Sequence, residues 1–381
     1  DHLDYHKNLK DYLKAKLYLF ENLIKKKGNI ITDEKIPEFK KIKKIALNKS
    51  LKLITLNDKK KNFDILSHTF KGESQILKIR HNNTIKNINL KLIGKIQLKN
   101  ILMAILAASQ SDIEISKILK VIPKIKPVDG RFQKIGKLKN QSKVILDYAH
   151  TPEALKTCLL NLREQFPNNK ISLLFGCGGN RDQNKRAKMG KIADNFSDKI
   201  YLTDDNPRFE NPNKIRKDIK KGIKKQKVIE ISNRAKAITE AIKNITIGEI
   251  LLVAGKGHEK TQDIGKQKIY FSDKSVILDE IKVKNLNLSN NLKLNIIREL
   301  SGHKQLPSTL SLGQARISSK EVRKNDIFFA IKGKKNDGNK FVKQSFKNKA
   351  SLAIVNRFQN SLNKSKQIKV KDSLKFLTDI S

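Results

Sequence analysis

Tryptophan is absent from these 381 residues, cysteine occurs twice, and aromatic residues make up only 6%. Two thiols, Cys158 and Cys177, cannot build a disulfide framework or a cysteine metal cluster, and they fit a reducing cytoplasm. No apolar run reaches the length of a membrane span. Acid is scarce beside base: 37 Asp and Glu against 81 Lys and Arg, a formal net charge of +44. Such a balance raises the prospect of a nucleic-acid partner. The missing Trp and sparse aromatics count against it, because nucleic-acid grooves add stacking rings to their cations. The basic runs Lys25–Lys27, Lys40–Lys44, Lys59–Lys61 and Lys220–Lys225 alternate with apolar residues or end helices, as solvated faces do. No specific nucleic-acid partner and no membrane are expected. A basic nucleic-acid-binding protein stays as the reading from a different class. A Gly-x-x-Gly-Lys-Thr/Ser phosphate loop is also missing. Gly255–Thr261 carries Lys-Thr, but no Gly directly precedes Lys260.

The length allows two or three domains. Leu9 to Leu23 has a helical rhythm. Asn29–Thr32, Lys52–Leu56, Gln75–Arg80 and Ile85–Ile93 read as strands, the later ones antiparallel. Helices are predicted over Gln97–Ala108 and Ile113–Ile122, with Pro123 and Pro127 ending them. A linker is expected near Pro123–Asp129. From there the pattern alternates. Val144–Asp147, Ile171–Phe175, Ile200–Thr203, Val228–Ile231 and Ile250–Ala254 are short apolar, β-branched-rich runs. Helical stretches at Glu153–Gln165, Lys185–Asn195, Lys214–Lys224 and Arg234–Lys243 separate them. This predicts a mostly parallel, doubly wound sheet with functional loops at the carboxyl ends of its strands. Lys282–Asn295, rich in Lys, Asn and Leu, reads as a connector. A shorter unit follows, with Asp326–Lys332, a helix near Phe341–Lys349 and the strand Leu352–Val355.

Thr203–Arg208, Thr-Asp-Asp-Asn-Pro-Arg, leaves one of these strands. It places a carboxylate pair, an amide and a guanidinium in a Pro-stiffened loop. That is a recognition surface for a zwitterion, with acids for an amine and Arg for a carboxylate. Other segments share its setting: Gly176-Cys-Gly-Gly-Asn-Arg-Asp182, Asp147-Tyr-Ala-His-Thr-Pro152, Gly130-Arg131-Phe132 and Ala254-Gly-Lys-Gly-His-Glu259. Nearer the start come Asp1-His-Leu-Asp-Tyr-His6, Tyr12 with Lys16 four residues on, and Gly94-Lys-Ile-Gln-Leu-Lys-Asn100. Lys16 lies at helical spacing between Tyr12 and Phe20, so a helix would put it on a largely apolar stripe.

Together these segments resemble the Mur ligase family, and within it the members that add meso-diaminopimelate. The resemblance implies a central-domain remnant over residues 1–125, lacking its phosphate loop. A doubly wound, Rossmann-like amino-acid-binding domain follows over 126–284. Residues 285–381 resemble the small α/β N-terminal domain of a second Mur ligase, the one that adds D-alanyl-D-alanine, through Asn325–Gly333 and Asp337–Phe341. The fold class is α/β throughout, and the whole reads as a piece of a longer fusion. The implied reaction is ATP-dependent amide formation on UDP-MurNAc-L-Ala-D-Glu through an acyl phosphate, with Mg²⁺, in a cytoplasmic monomer.

By the same resemblance His2 binds the metal, Lys16 is carbamylated and acts beside it, and His150 faces the cleft as a catalytic candidate. Asn100, Arg131 and Asp147 would contact the nucleotide. Arg181, Asp205, Asn206, Arg208, Gly255 and Glu259 would hold the amino acid. A folylpolyglutamate synthase-like ligase is the rival within the superfamily. Without a phosphate loop, the purified chain is expected to show no substrate-dependent phosphate release from ATP. A malachite-green signal above background would contradict that.

Overall fold

The computed structural model describes residues 6, 8–56, 63–81, 84–111, 113–225, 228–302, 306, 310–333 and 336–379. Two units divide at Ile281 and Lys282.

The first unit opens with α1 (Leu9–Tyr18), capped by Asn8, and a π-helical turn over Leu19–Leu23. A continuous α-helix to Leu23 was expected. The strands β1 (Asn29–Thr32) and β2 (Lys52–Thr55) pair in parallel around α2 (Phe39–Asn48). Next comes an antiparallel meander of β3 (Phe63–Lys71), β4 (Ser74–His81) and β5 (Thr84–Leu90). Sequence reading missed β3. The meander packs Leu77, Ile79, Ile88 and Leu90 against Leu98, Leu102 and Ile105 of α3 (Lys95–Ala108) and Leu119 of α4 (Ile115–Val121).

Two glutamines fix the end of this subdomain, Gln75 from within it and Gln165 from the larger sheet's side. Buried Gln75 donates to the carbonyls of Leu92 and Gly94, at 2.8 and 3.0 Å. Gln165 accepts from Gly94 N–H at 2.8 Å and donates to Gly72 O at 2.9 Å. These bonds satisfy backbone groups that would otherwise be buried unpaired.

The larger sheet has six strands. They are β6 (Gln133–Lys134), β7 (Lys143–Asp147), β8 (Ile171–Phe175), β9 (Lys199–Leu202), β10 (Val228–Glu230) and β11 (Ile250–Ala254). Their order is β10-β9-β8-β11-β7-β6, all parallel except β6 against β7. Continuous apolar runs such as Ile-Ser-Leu-Leu-Phe suit strands buried on both faces. One face packs α5 (Pro152–Gln165), α6 (Lys185–Phe196) and α7 (Pro212–Lys220) through Leu155, Leu159, Met189 and Ile219. The other packs α8 (Arg234–Lys243) and the start of α9 (Asp273–Ser301) through Ile238, Ile242, Ile277 and Ile281. Helix starts follow their caps: Thr151, Asn211 and Asn233 each accept a backbone N–H, and Pro152 and Pro212 open their helices. The hairpin β12 (Thr261–Ile264) and β13 (Gln267–Tyr270) follows β11.

The expected connector at Lys282–Asn295 is instead part of α9. Its residues include no Gly or Pro, and nothing in Lys, Asn and Leu forbids a helix. In the second unit Leu294 and Ile297 join a core with Ile327, Phe329, Leu352 and Ile354. That core lines a parallel sheet in the order β14 (Ala315–Arg316), β15 (Ile327–Phe329), β16 (Leu352–Val355) and β17 (Gln367–Lys369). Helices α10 (Val342–Lys347) and α11 (Ser373–Asp379) accompany it. No helix of the described residues is long and apolar enough to cross a membrane.

One ion pair is wholly buried in the first unit. Arg234 grips Asp273 with Nε and Nη2, at 2.8 and 2.7 Å, and Nη2 also donates to Ala254 O at 2.9 Å. Both side chains are 0% exposed. Removing one partner leaves the other charge buried and unpaired. Arg234→Met should therefore destabilise the unit by about 3–5 kcal/mol. Hydrogen exchange of α8 and β11 amides should speed up with it, and Arg234→Met with Asp273→Met should recover most of the loss. The account is wrong if urea midpoints show no larger drop than for Lys375→Met, which breaks an exposed pair.

Candidate functional site

After β10 the chain turns back across the sheet, and β11 is inserted between β7 and β8. In such sheets the crevice at the carboxyl ends of the strands is the ligand site. The loops leaving β7, β8, β9 and β11 meet at this place. They line a cavity of about 150 Å³ formed by Tyr148, His150, Gly178, Arg181, Asp182, Lys185, Asp205, Asn206, Arg208, Gly255 and Glu259. Sequence reading named Arg181, Asp205, Asn206, Arg208, Gly255 and Glu259, and all six line it.

Asp205 is 7% exposed. Its Oδ1 accepts from Asn206 N–H at 2.7 Å, while buried Oδ2 has no hydrogen-bond partner among the described residues. A Cβ on Gly255 would stand 2.6 Å from that oxygen, and Gly255 has φ +114°. Only glycine permits both the conformation and the approach. The cavity therefore presents a carboxylate oxygen without a hydrogen-bond partner among the described residues, which asks for a donor.

Asn206 bridges the loops. Its Nδ2 donates to Glu259 Oε2 at 3.1 Å, and its Oδ1 accepts from Lys256 Nζ at 2.9 Å and from Asp263 N–H at 3.0 Å. Glu259 Oε1 accepts from the Tyr148 hydroxyl at 3.3 Å. Burial pushes the Glu259 carboxyl up, but the Lys256 ammonium and these donors outweigh it and hold it below the ordinary range. Arg208 adopts φ +51°. Its Nη1 donates to Gly179 O at 2.9 Å, and Nη2 has no partner among the described residues. Cys177 lies beneath, and burial pushes its thiol up to about 12, so it is inert as a nucleophile.

The loop positions have a support of their own. Fully buried Arg186 on α6 reaches Glu210 Oε2 at 2.8 Å and Asp218 Oδ2 at 3.3 Å. Glu210 in turn accepts from Asn180 N–H. The loop after β8 is thereby tied to the loop after β9. Arg216 does the same for the other side of that loop, pairing with Asp204 and Glu230. Arg216 holds the first acid of the loop, Asp204, away from the cavity, which Asp205 lines instead.

The residues expected at the nucleotide, Asn100, Arg131 and Asp147, are not among those that line this cavity. Arg131 is exposed and stacks 4.5 Å over the Tyr148 ring. Tyr148 also meets His150 edge-on at 4.7 Å and His258 at 5.4 Å. His150 Nδ1 hydrogen-bonds Tyr148 O at 2.9 Å. Asp147 is committed to the backbone: Oδ2 accepts from Phe132 N–H and Oδ1 from Ala149 N–H, both at 2.7 Å, and Oδ1 also takes the Cys158 thiol. Burial pushes its carboxyl above the usual range despite these donors. Asn100 is exposed on α3.

Leu17 and Phe20 of the expected stripe pack against the core of Ile30, Ile42 and Ala46, but Lys16 does not share that face. Helix α1 buries no residue, so Lys16 is exposed, with Nζ 5.2 Å from the Tyr12 ring centre. His2 lies outside the described residues. Among the described residues no three His, Cys, Asp or Glu side chains cluster as a metal site. Tyr148, Lys256, Arg186 and Arg234 were not anticipated. A buried lysine has no signature in a chain with so many exposed ones.

A largely parallel sheet with a polar cavity at the carboxyl ends of its strands, joined to a smaller α/β subdomain, is the class of fold found here. The Mur ligase middle domain matches residues 1–108, and the Mur ligase glutamate ligase domain matches residues 130–257. The chain belongs to the Mur ligase family.

It is 40% identical over 278 residues to the UDP-N-acetylmuramoyl-L-alanyl-D-glutamate–2,6-diaminopimelate ligase of Rickettsia typhi, covering 73% of this chain and 56% of that protein. The same enzyme of Rickettsia prowazekii is 39% identical, covering 73% and 57%. A solved structure of a UDP-N-acetylmuramoyl-L-alanyl-D-glutamate–2,6-diaminopimelate ligase superposes with a TM-score of 0.51 at 29% identity, covering 74% of this chain and 58% of the other. The chain thus spans little more than half the length of these relatives.

Proposed function

We propose that this chain supplies the amino-acid-binding part of a ligase that adds meso-diaminopimelate to UDP-MurNAc-L-Ala-D-Glu. One observation carries the reading: the unpartnered Asp205 carboxylate oxygen in the same cavity as Arg181 and Arg208. An ammonium and a carboxylate on one ligand would satisfy both signs. The curated relatives carry that activity in their names.

In this reading Asp205 and Glu259 hold the ammonium ends and Arg181 and Arg208 the carboxylate ends. Arg131 and His150, grouped on the Tyr148 ring, would face the nucleotide side, with Asn100 and Asp147 further candidates there. ATP would activate the D-Glu carboxylate as an acyl phosphate, which the amine attacks. His2 and Lys16 complete the reading as magnesium ligand and carbamate. The domains would be the back of the central domain over 1–125 and the amino-acid domain over 126–284. The front of a second ligase, one adding D-alanyl-D-alanine, would occupy 285–381. The parallel α/β build of the second unit and its Asn325–Gly333 segment along β15 support the last of these.

Diaminopimelate and lysine differ by one carboxylate, so choice between them needs a group that pairs with it. Arg208 Nη2 is available for that. A charge-assisted contact of this kind is worth roughly 1.5–3 kcal/mol, or about 10- to 150-fold in affinity. Arg208→Ala should weaken meso-diaminopimelate by that factor in isothermal titration of the chain and change lysine little. Arg208→Lys keeps the charge, loses the fork and should still weaken it clearly. Equal losses for both amino acids would mean that Arg208 only holds the loop, and the discrimination would lie elsewhere.

A further inference from the structure

The loop after β11 contains a lysine that does not line the cavity. Lys256 is 0% exposed, between Gly255 and Gly257, both at positive φ. Its ammonium has three acceptors: Asn206 Oδ1 at 2.9 Å, Glu259 Oε2 at 2.9 Å and Thr261 O at 2.6 Å. An ammonium has three donors, so none remains for a ligand. Burying a lysine is costly, and here the cost is met by contacts to two residues of the cavity wall.

We propose that Lys256 is a positioning residue that sets the polarity of this pocket. Building on the diaminopimelate reading, it keeps Glu259 an anion and turns the Asn206 amide so that its nitrogen faces the ligand. The geometry argues each half. Asn206 Oδ1 receives two donors, Lys256 Nζ and Asp263 N–H, which fills both lone pairs. The amide cannot flip without facing N–H against N–H. Its Nδ2 keeps one hydrogen on Glu259 and has one left for a ligand carboxylate. Glu259 Oε2 is taken by Lys256 and Asn206, whereas Oε1 has only the long contact from Tyr148. Oε1 is thereby left for a ligand ammonium. Lys256 touches no substrate in this scheme. It acts through Glu259 and Asn206.

The charges around Glu259 make its ionisation depend on this lysine. Tyr148 reaches it from the end of β7, with Arg131 and His258 on that ring. Asp205 from the loop after β9 lies across the pocket with Arg181, Lys185, Asp182, His150 and Arg208, and Asp263 lies behind Asn206. Arg234 sits below and is already paired with Asp273. Lys256 is the cation in direct contact with the carboxylate. Without it, burial would push the Glu259 carboxyl up towards neutrality.

The test is isothermal titration of the full chain with meso-diaminopimelate at about pH 8, about pH 7 and about pH 6, where the ligand's own groups keep their charges. The unaltered chain gives the reference profile against which the variants are read. Lys256→Met should bind about tenfold or more weakly at the highest pH and lose about tenfold again on descending to the lowest, as Glu259 protonates. Lys256→Met with Glu259→Gln should be weak but flat. A packing role alone would weaken binding by one factor at every pH, and that result, or an unchanged affinity, overturns the proposal. If Lys256→Met does not fold, Lys256→Gln carries the same comparison, because it keeps a donor near Asn206 without the charge.

A ligand-free readout separates this from the reading on which it rests. The carbon-13 titration of the Glu259 carboxyl, identified by its loss in Glu259→Gln, should move upward in the Lys256 variant. No heat with the unaltered chain overturns the diaminopimelate reading, whereas an unmoved Glu259 titration overturns the role of Lys256.

Discussion

The contact between buried Lys256 and the carboxylate of Glu259 is the constraint on which the site depends. It joins the loop after β11 to itself, and through Asn206 to the loop after β9. The Tyr148 hydroxyl brings in the end of β7, and the loop after β8 is held to that after β9 by Arg186 and Glu210. Four strand ends are thus fixed to one another by polar contacts in a place of low dielectric, where such contacts are strong and their loss is costly. Charges of both signs can then be presented to a ligand without collapsing on each other.

The sheet supplies the reason for this meeting. With β11 between β7 and β8, the loops at the ends of neighbouring strands become neighbours, although they stand far apart in the chain. Apolar packing on both faces holds the strands, and the buried Arg234–Asp273 pair fixes Ala254 from beneath. Rigidity below and charge above is the arrangement that a specific polar site needs, since a loosely held guanidinium would give up much of its selectivity.

Much of this was legible in the sequence, for a physical reason. Strands buried on both faces read as apolar runs, and β8 and β11 were bounded to the residue. Loops that bind a zwitterion must carry acid, amide and guanidinium, so Asp205, Asn206 and Arg208 stood out. Other features depend on tertiary surroundings that a local pattern does not carry. Lys256 looks like any other lysine until its burial is known. Arg234 and Asp273 are 39 positions apart and pair only in the fold. The motif around Asp147 is recognisable in sequence, whereas its hydrogen bonds from the backbone N–H groups of Phe132 and Ala149 appear only in the fold. The helix α9 was missed because Lys- and Asn-rich composition resembles a connector, while its few apolar anchors, Ile277 and Ile281, then Leu294 and Ile297, are buried in two different cores. At Lys16 periodicity misled in the opposite sense: Leu17 and Phe20 pack on a core, while Lys16 is exposed.

The central claim is that this cavity binds one molecule by both of its signs of charge. A crystal structure of the chain with meso-diaminopimelate tests it most directly. The account predicts a ligand ammonium within hydrogen-bond distance of Asp205 Oδ2 and a ligand carboxylate on Arg208 Nη2. A ligand bound with its carboxylate towards Asp205, or seated outside the cavity, would contradict it.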